Sequence, residues 1–141
     1  MMEIKVCSSA EDILKCRNAM LALRTHINPE EFPGIVTAML AEGYQLAFVE
    51  ADGKAAAVIG YRYLQFLYNG KHIYIDDLST LPEYRGKGYA GNLLDFVEEE
   101  ARNKGYASVT LDSGHQRFDA HRLYLNKGFN IVAHHFSKTL K

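Results

Sequence analysis

A glycine-rich loop in front of a helix is the strongest chemical signal in the sequence. Gly86-Lys87-Gly88-Tyr89-Ala90 follows a predicted strand and leads into a predicted helix. The first turn of a helix has unpaired backbone N–H groups and a partial positive charge, and glycines let a ligand approach the backbone closely. The loop therefore predicts a phosphate or pyrophosphate site, to which Arg85 and Lys87 can add charge-assisted contacts.

A dinucleotide is one ligand that this loop pattern predicts. Gly86, Gly88 and Gly91 match G-x-G-x-x-G, and Asp112 follows at the distance of a ribose-binding acid, about 20 residues. However, residues 81–85 separate the strand from the first glycine, and three predicted antiparallel strands precede it, whereas the dinucleotide pattern opens its sheet. Too few residues follow Asp112 for the second half of such a fold. The sequence disfavours a nucleotide-dependent oxidoreductase.

The elements that position the loop follow from hydrophobic spacing and turn signals. Apolar residues at helical spacing predict four helices, and short apolar segments between glycine-containing turns predict strands. We expect an α/β fold with a mixed, mostly antiparallel sheet of about six strands flanked by four helices, in a single domain over residues 1–141. Predicted strands cover residues 4–7, 44–50, 55–67, 72–80, 107–111 and 129–138, and predicted helices run from a Ser8–Glu11 capping box to Arg24, from Asn28 to Gly43, from Tyr89 to Lys104 and from Phe118 to Asn126.

The composition limits the partners of the chain. It has 141 residues, sixteen basic and seventeen acidic side chains, and a net charge of −1. Proteins that bind nucleic acids usually carry a strong excess of positive charge, which this chain lacks. No apolar run approaches the length of a membrane span, about 20 residues. Cys7 and Cys16 have neither a disulfide nor a zinc spacing. We expect both thiols to be reduced, which favours a cytoplasmic protein without a nucleic-acid or membrane partner.

Two motifs give the sequence a family resemblance. Arg85-x-x-Gly88-x-Ala90 resembles the motif that the GNAT N-acetyltransferase superfamily carries between its fourth strand and third helix. The segment 75–88 is similar to the family's strand and loop, and Ala120-x-x-x-Tyr124-x-x-x-Gly128-Phe129 resembles its second hallmark. The order of the predicted elements agrees over nearly the whole chain. The resemblance implies an acyl-CoA N-acyltransferase fold, with acetyl-CoA as co-substrate and no metal.

The resemblance also implies where the coenzyme binds. The pyrophosphate is expected on the backbone of the loop, and the pantetheine arm is expected to pair with the backbone of residues 78–80 in the preceding strand. Leu78 is implied to donate its backbone N–H to the developing oxyanion. The implied cofactor residues are Leu78, Ser79, Thr80, Arg85, Gly86, Lys87, Gly88, Tyr89 and Ala90.

Attack of an amine on a thioester needs a neutral amine and a proton for the leaving thiolate. A lysine-type amine has a pKa of about 10.4 and a phenol of about 10, so a tyrosine can protonate a thiolate. By resemblance, Tyr124 lies beside the coenzyme sulfur; its alternative role is that of a core aromatic. Asp76 and Asp77 are adjacent on a strand, so one is expected on each face unless a bulge intervenes. Asp76 is our candidate base, through water, or anchor for a cationic acceptor.

The predicted function is acetyl transfer to a primary amine by direct attack in a ternary complex. The acceptor is a small molecule or a peptide that the sequence does not identify. The alternative is a module that senses acyl-CoA without transferring the acetyl group. Arg24, Thr25 and His26 are candidate acceptor contacts, because the family's loop after its first helix flanks the acceptor site. The histidines lack zinc spacing and are expected to be polar residues without a metal: His115, His121, His134 and His135.

The predicted last strand, residues 129–138, suggests an assembly. Many relatives have two further strands in this region, and this chain has room for one. An edge strand presents unpaired N–H and C=O groups, which a second copy can cover. We therefore expect a homodimer; the alternative is a monomer whose edge is shielded by Lys138 and Lys141.

Overall fold

The computed structural model describes residues 3–141. They form two compact units, of which the first ends at Leu111 and the second covers Asp112–Lys141. The first unit contains a five-stranded sheet with three α-helices, and the second contains one α-helix. In residues 3–141, no helix is long and apolar enough to cross a membrane.

The element order agrees with the sequence-based prediction in all but the last strand. The elements are β1 (Glu3–Val6), α1 (Ala10–Leu23), α2 (Phe32–Ala41), β2 (Tyr44–Ala51), β3 (Lys54–Phe66), β4 (Gly70–Thr80), α3 (Tyr89–Asn103), β5 (Ser108–Leu111) and α4 (Phe118–Asn126). The sheet order is β1-β2-β3-β4-β5. The first four strands pair antiparallel, and β5 pairs parallel to β4, as expected for a strand that returns through a helical crossover.

The sheet is covered on both faces. Alternate residues of β2, namely Tyr44, Leu46 and Phe48, are buried in one apolar cluster with residues of α1 and α2. The intervening Ala47 and Val49 are also fully buried, so a second layer must cover the other face. That layer is α3, which contacts β2, β3, β4 and β5 through the buried side chains Leu93, Leu94, Val97 and Ala101.

Two helix starts differ from the prediction. The N-cap of α1 is Ser9, whose hydroxyl accepts the N–H of Asp12, while the Asp12 carboxylate accepts the N–H of Ser8. The capping pair is thus one residue later than Ser8–Glu11. The second helix begins at Phe32 and not at Asn28, because the Asn28 side chain accepts the N–H of Glu30 and forms a turn.

The predicted strand over residues 129–138 was wrong. The structure assigns none of residues 129–141 to a strand or helix, and Ile131, Val132 and Phe136 are 78%, 85% and 90% exposed. A strand needs a partner ladder more than it needs a favourable composition. Within the described part of the second unit, α4 is the only regular element, so that unit offers this segment no strand to pair with.

Gly60 in the middle of β3 is required by the packing of Tyr44. The two residues lie on neighbouring strands, and a Cβ atom at position 60 would overlap with the Tyr44 hydroxyl and its ring carbons. The Tyr44 ring is 1% exposed, so it has little room to move away. The phenol of Tyr44 therefore occupies the space that a side chain at position 60 would take.

We predict that Gly60→Ala lowers the free energy of unfolding by about 1–3 kcal/mol, the usual cost of overpacking a buried site. Gly34→Ala in α2 is the matched control, because its Cβ meets no atom within 4 Å and alanine is the better helix former by about 1 kcal/mol. Urea denaturation measures both. A Gly60→Ala protein as stable as Gly34→Ala would show that the Tyr44 ring is not confined.

Candidate active site

A β-bulge interrupts β4 at the pair of adjacent carboxylates. Gly60 is paired with Asp77 and Tyr61 with Ile75, so Asp76 is the extra residue on β4. A bulge bends its strand and redirects the side chain. This bulge is the exception under which the sequence analysis allowed the alternation of faces to fail, and both carboxylates reach one polar network.

Asp77 is fully engaged by protein groups. Arg24 donates from Nε to Asp77 Oδ1 at 2.9 Å, and the Tyr44 hydroxyl donates to Oδ2 at 2.6 Å. The same guanidinium donates from Nη2 to the backbone carbonyl of Asp76 at 2.9 Å. Of the three predicted acceptor contacts, Arg24 thus binds the bulge, while Thr25 and His26 are exposed.

Asp76 has one engaged and one unpaired oxygen. Arg62 donates from Nε to Oδ2 at 2.8 Å, and its guanidinium lies 5.3 Å from the centroid of the Tyr44 ring. Oδ1 is buried and has no hydrogen-bond partner within residues 3–141. Burial raises the pKa of Asp76, although Arg62 acts to lower it. A carboxylate with a raised pKa is a stronger base than an ordinary aspartate, and its unpaired oxygen needs a donor.

The strand beyond the bulge is paired on one side. Among the described strands, β5 pairs with β4 only from His72 to Ile75, and from Asp77 to Thr80 β4 is paired with β3 alone. The backbone of residues 78–80, which the sequence predicts to pair with the pantetheine arm, therefore lies on a sheet edge without a neighbouring strand in the described chain. Ser79 is buried, and Leu78 and Thr80 are partly exposed.

The predicted phosphate loop has the backbone geometry of an anion site. Gly86 and Gly88 have φ angles of 79° and 81°, and a Cβ at either position would meet no atom within 4 Å. Gly88 is the N-cap of α3, and no side chain among residues 3–141 caps this helix. Arg85 and Lys87 are exposed. The first N–H groups of α3, from Tyr89 and Ala90 onward, are thus available to an anion.

Tyr84 fastens this loop to the turn between β2 and β3. The ring is 8% exposed, and its hydroxyl donates to Asp52 Oδ2 at 2.9 Å, which raises the pKa of Tyr84. The N–H of Leu81 also donates to the Ala56 carbonyl at 2.9 Å. Sequence reasoning missed this anchor, because the Asp52-Gly53 signal predicts a turn and gives no partner 32 residues away.

Tyr124 lies in the second unit, at the end of α4. The N–H of Phe129 donates to the Tyr124 carbonyl and that of Gly128 to the Leu125 carbonyl, at 3.0 and 3.1 Å. With Gly128 at φ 91°, these bonds form a Schellman cap, and the rings of Tyr124 and Phe129 supply its apolar contact. Burial raises the pKa of Tyr124, while Arg117 acts to lower it. The phenol is therefore protonated at pH 7 and able to donate a proton.

Two histidines of the second unit lie beside polar groups. His121 Nε2 lies 2.8 Å from the Gly114 carbonyl, and His135 Nδ1 lies 3.4 Å from Asp112 Oδ2. Within residues 3–141, no three His, Cys, Asp or Glu side chains form a group that could hold a metal ion.

Comparison with known proteins assigns these elements to a family. Residues 13–129 match the model of the Acetyltransferase (GNAT) family. The chain belongs to this family. Over 140 residues it is 34% identical to the uncharacterized N-acetyltransferase YhdJ of Bacillus subtilis (strain 168), and the match spans 98% of this chain and 99% of that protein. The family resemblance found in the sequence is confirmed.

A further relative and a solved structure agree with this assignment. The aminoalkylphosphonate N-acetyltransferase of Salmonella typhimurium is 39% identical over 66 residues, which cover 47% of this chain and 43% of that protein. The aminoglycoside N-acetyltransferase AAC(6')-Iy in complex with CoA has a TM-score of 0.86 at 16% identity, over 100% of this chain and 96% of that chain. The predicted fold class is confirmed, with five strands in place of about six. The protein is an acetyl-CoA-dependent N-acetyltransferase.

Proposed function

We propose that the enzyme transfers an acetyl group from acetyl-CoA to the primary amine of a small molecule, by direct attack in a ternary complex. The observation that carries this proposal is the unpaired, buried Oδ1 of Asp76, on the strand that leads to the phosphate loop. A relative named for an aminoalkylphosphonate and another named for thialysine favour a small-molecule acceptor over a peptide.

The coenzyme is assigned to the strand edge and the phosphate loop. The pyrophosphate takes the N–H groups of the loop that begins α3, with Arg85 and Lys87 near its charge. The pantetheine arm pairs with the unpaired edge of β4. The residues assigned to these contacts are Leu78, Ser79, Thr80, Arg85, Gly86, Lys87, Gly88, Tyr89 and Ala90.

The chemical step uses three further groups of the chain. Asp76 accepts a proton from the acceptor ammonium, directly or through water, and the neutral nitrogen attacks the thioester carbonyl carbon. The N–H of Leu78 stabilises the negative charge that develops on the carbonyl oxygen. When the carbon–sulfur bond breaks, Tyr124 gives its proton to the thiolate, and the second proton of the attacking nitrogen passes through water to the Tyr124 phenolate. The neutral amide and free coenzyme A then leave, and Asp76 releases its proton to solvent.

Release of the free thiol tests the reaction and the role of Tyr124 together. With a panel of amines that contains aminoalkylphosphonates, polyamines, aminoglycosides and peptides, we expect turnover on a small molecule. Tyr124→Phe removes only the hydroxyl and should lower kcat by about 10²–10⁴-fold, as is usual for a general acid. Tyr68→Phe, at an 83% exposed tyrosine, is the control.

Each possible failure of this experiment has its own meaning. Turnover on peptides alone would replace the small-molecule acceptor. Coenzyme binding without thiol release on any amine would favour a sensor of acyl-CoA. Normal turnover by Tyr124→Phe on the best acceptor would leave Tyr124 as the apolar contact of the α4 cap.

The phosphate loop is tested by two glycines with the same strain. Gly88 and Gly105 have φ angles of 81° and 71°, and neither would place a Cβ near another atom. Substitution by alanine therefore strains both positions alike. Gly88→Ala should raise the Kd of acetyl-CoA by about 10-fold or more, or about 1.4 kcal/mol, because its Cβ would take up open space beside the N–H groups proposed to bind the pyrophosphate. Calorimetry that finds Gly105→Ala equally impaired would remove the pyrophosphate from this loop.

We also propose a homodimer and a cytoplasmic location. Exposed apolar side chains in residues 129–141 are surface that a second copy can cover, although the predicted strand itself is absent. Buried, free thiols at Cys7 and Cys16 fit a reducing compartment. Light scattering at rising concentration should report twice the chain mass of 15.9 kDa. A constant mass near 15.9 kDa would identify a monomer.

A further inference from the structure

Arg24 joins the end of a helix to the bulge on the neighbouring sheet. It is the C-cap residue of α1, and its own N–H donates to the Met20 carbonyl at 2.9 Å. Its guanidinium makes two bonds of 2.9 Å, one to the Asp77 carboxylate and one to the backbone carbonyl of Asp76. One side chain therefore holds both the side chain and the main chain of consecutive residues at the bulge.

The partners of this guanidinium are themselves fixed. The other oxygen of Asp77 accepts the Tyr44 hydroxyl at 2.6 Å, and the buried Tyr44 ring occupies the space that a side chain at Gly60 would need. The carboxylate that Arg24 binds is thus held from the opposite side. Two parallel bonds from a planar guanidinium fix orientation as well as distance. An ammonium at the same place would supply charge without that orientation.

The bond to the Asp76 carbonyl fixes the peptide between Asp76 and Asp77. Because a peptide is planar, holding its carbonyl also fixes its N–H and the direction in which the strand continues toward Leu78. A bulge lacks one regular ladder pairing, so an external contact of this kind replaces part of the lost constraint. Arg24 thereby fixes the peptide that lies between the proposed base, Asp76, and the proposed oxyanion donor, Leu78.

Arg24 also belongs to the charges around Asp76. The groups facing that carboxylate are Arg62 from β3, Arg24 from α1, Tyr44 from β2 and Asp77 from β4 itself. Burial raises the pKa of Asp76 most, Arg62 and Arg24 lower it, and Asp77 raises it. Loss of the Arg24 charge therefore moves the pKa of Asp76 further upward.

We infer that Arg24 is a positioning residue for acetyl transfer, which holds the Asp76 bulge in its working geometry and ties residues 24–31, between α1 and α2, to that bulge. The inference rests on the proposed role of Asp76. It assigns to Arg24 a task inside the protein, in place of the acceptor contact that the sequence predicts. Arg24 acts through Asp76 and does not touch the reacting atoms.

Three variants separate positioning from charge. Arg24→Gln removes the charge and the paired donors, Arg24→Lys keeps only the charge, and Arg102→Gln, at a 66% exposed side chain, is the control for loss of one positive charge. We expect kcat to fall by about 10-fold to 100-fold in both Arg24 variants, since small displacements of catalytic groups have effects of this order. The KM for acetyl-CoA should stay near its normal value.

The pH dependence of kcat/KM distinguishes positioning of Asp76 from a merely structural role, which would leave this dependence unchanged. The proposed step needs an ionised Asp76 and an acceptor ammonium, whose pKa is about 10.4 for a lysine-type group, so log kcat/KM is level between the two pKa values and falls with a slope of one where Asp76 is protonated. This fall should move to higher pH in Arg24→Gln and stay in place in Arg24→Lys. A protein in which Arg24→Gln changes only the urea midpoint, and neither kcat nor the profile, would overturn the inference.

Asp76→Asn distinguishes the failure of this inference from that of the proposed function. If Asp76 is the base, this variant loses most of kcat and its profile no longer falls at the pKa of Asp76. If Asp76→Asn turns over normally, the proposed role of Asp76 is wrong and the inference falls with it. If Asp76→Asn is impaired while Arg24→Gln matches Arg102→Gln, the role of Asp76 stands and Arg24 alone is refuted.

Discussion

The extra residue at Asp76 is the constraint on which the rest of the site depends. In a regular ladder, neighbouring residues of β4 would point to opposite faces. The bulge brings Asp76 and Asp77 into one network with Arg24, Tyr44 and Arg62. The two carboxylates differ in their bonding. Both oxygens of Asp77 accept hydrogen bonds, whereas one buried oxygen of Asp76 has no partner among the described residues. The two arginines offset the two carboxylates, so the network is close to neutral and one acceptor position is left open.

The coenzyme half of the proposed site is built from backbone. The edge of β4 after the bulge and the start of α3 both present main-chain groups, and glycines with positive φ shape the turn between them. Such a site makes few demands on side chains, which explains why Arg85 and Lys87 are exposed while the loop itself is held by Tyr84 and Asp52. The proposed coenzyme site thus depends mainly on backbone conformation, whereas the proposed acceptor site depends on a few charged side chains around Asp76.

How much of this could be predicted depends on whether the deciding interaction is local. The bounds of α4, Phe118–Asn126, were predicted correctly because Gly128 two residues later is a local stop signal. The predicted start of α2 was wrong because Asn28 supports a turn as readily as a helix cap. The prediction of a last strand was wrong because the pattern of residues 129–138 does not specify a partner strand. The tie between Arg24 and Asp77 spans 53 positions, and no spacing rule in one sequence gives it.

The contact between Tyr44 and Gly60 couples two positions that lie on different strands. A larger residue at position 60 fits only in a chain whose residue at position 44 is already smaller, and a smaller residue at 44 leaves Asp77 without its phenolic donor. Change must therefore pass through a state that lacks either packing or a hydrogen bond. The order in which positions 44 and 60 can be substituted is therefore restricted, whereas the exposed charges of the phosphate loop can be substituted one at a time without such a clash.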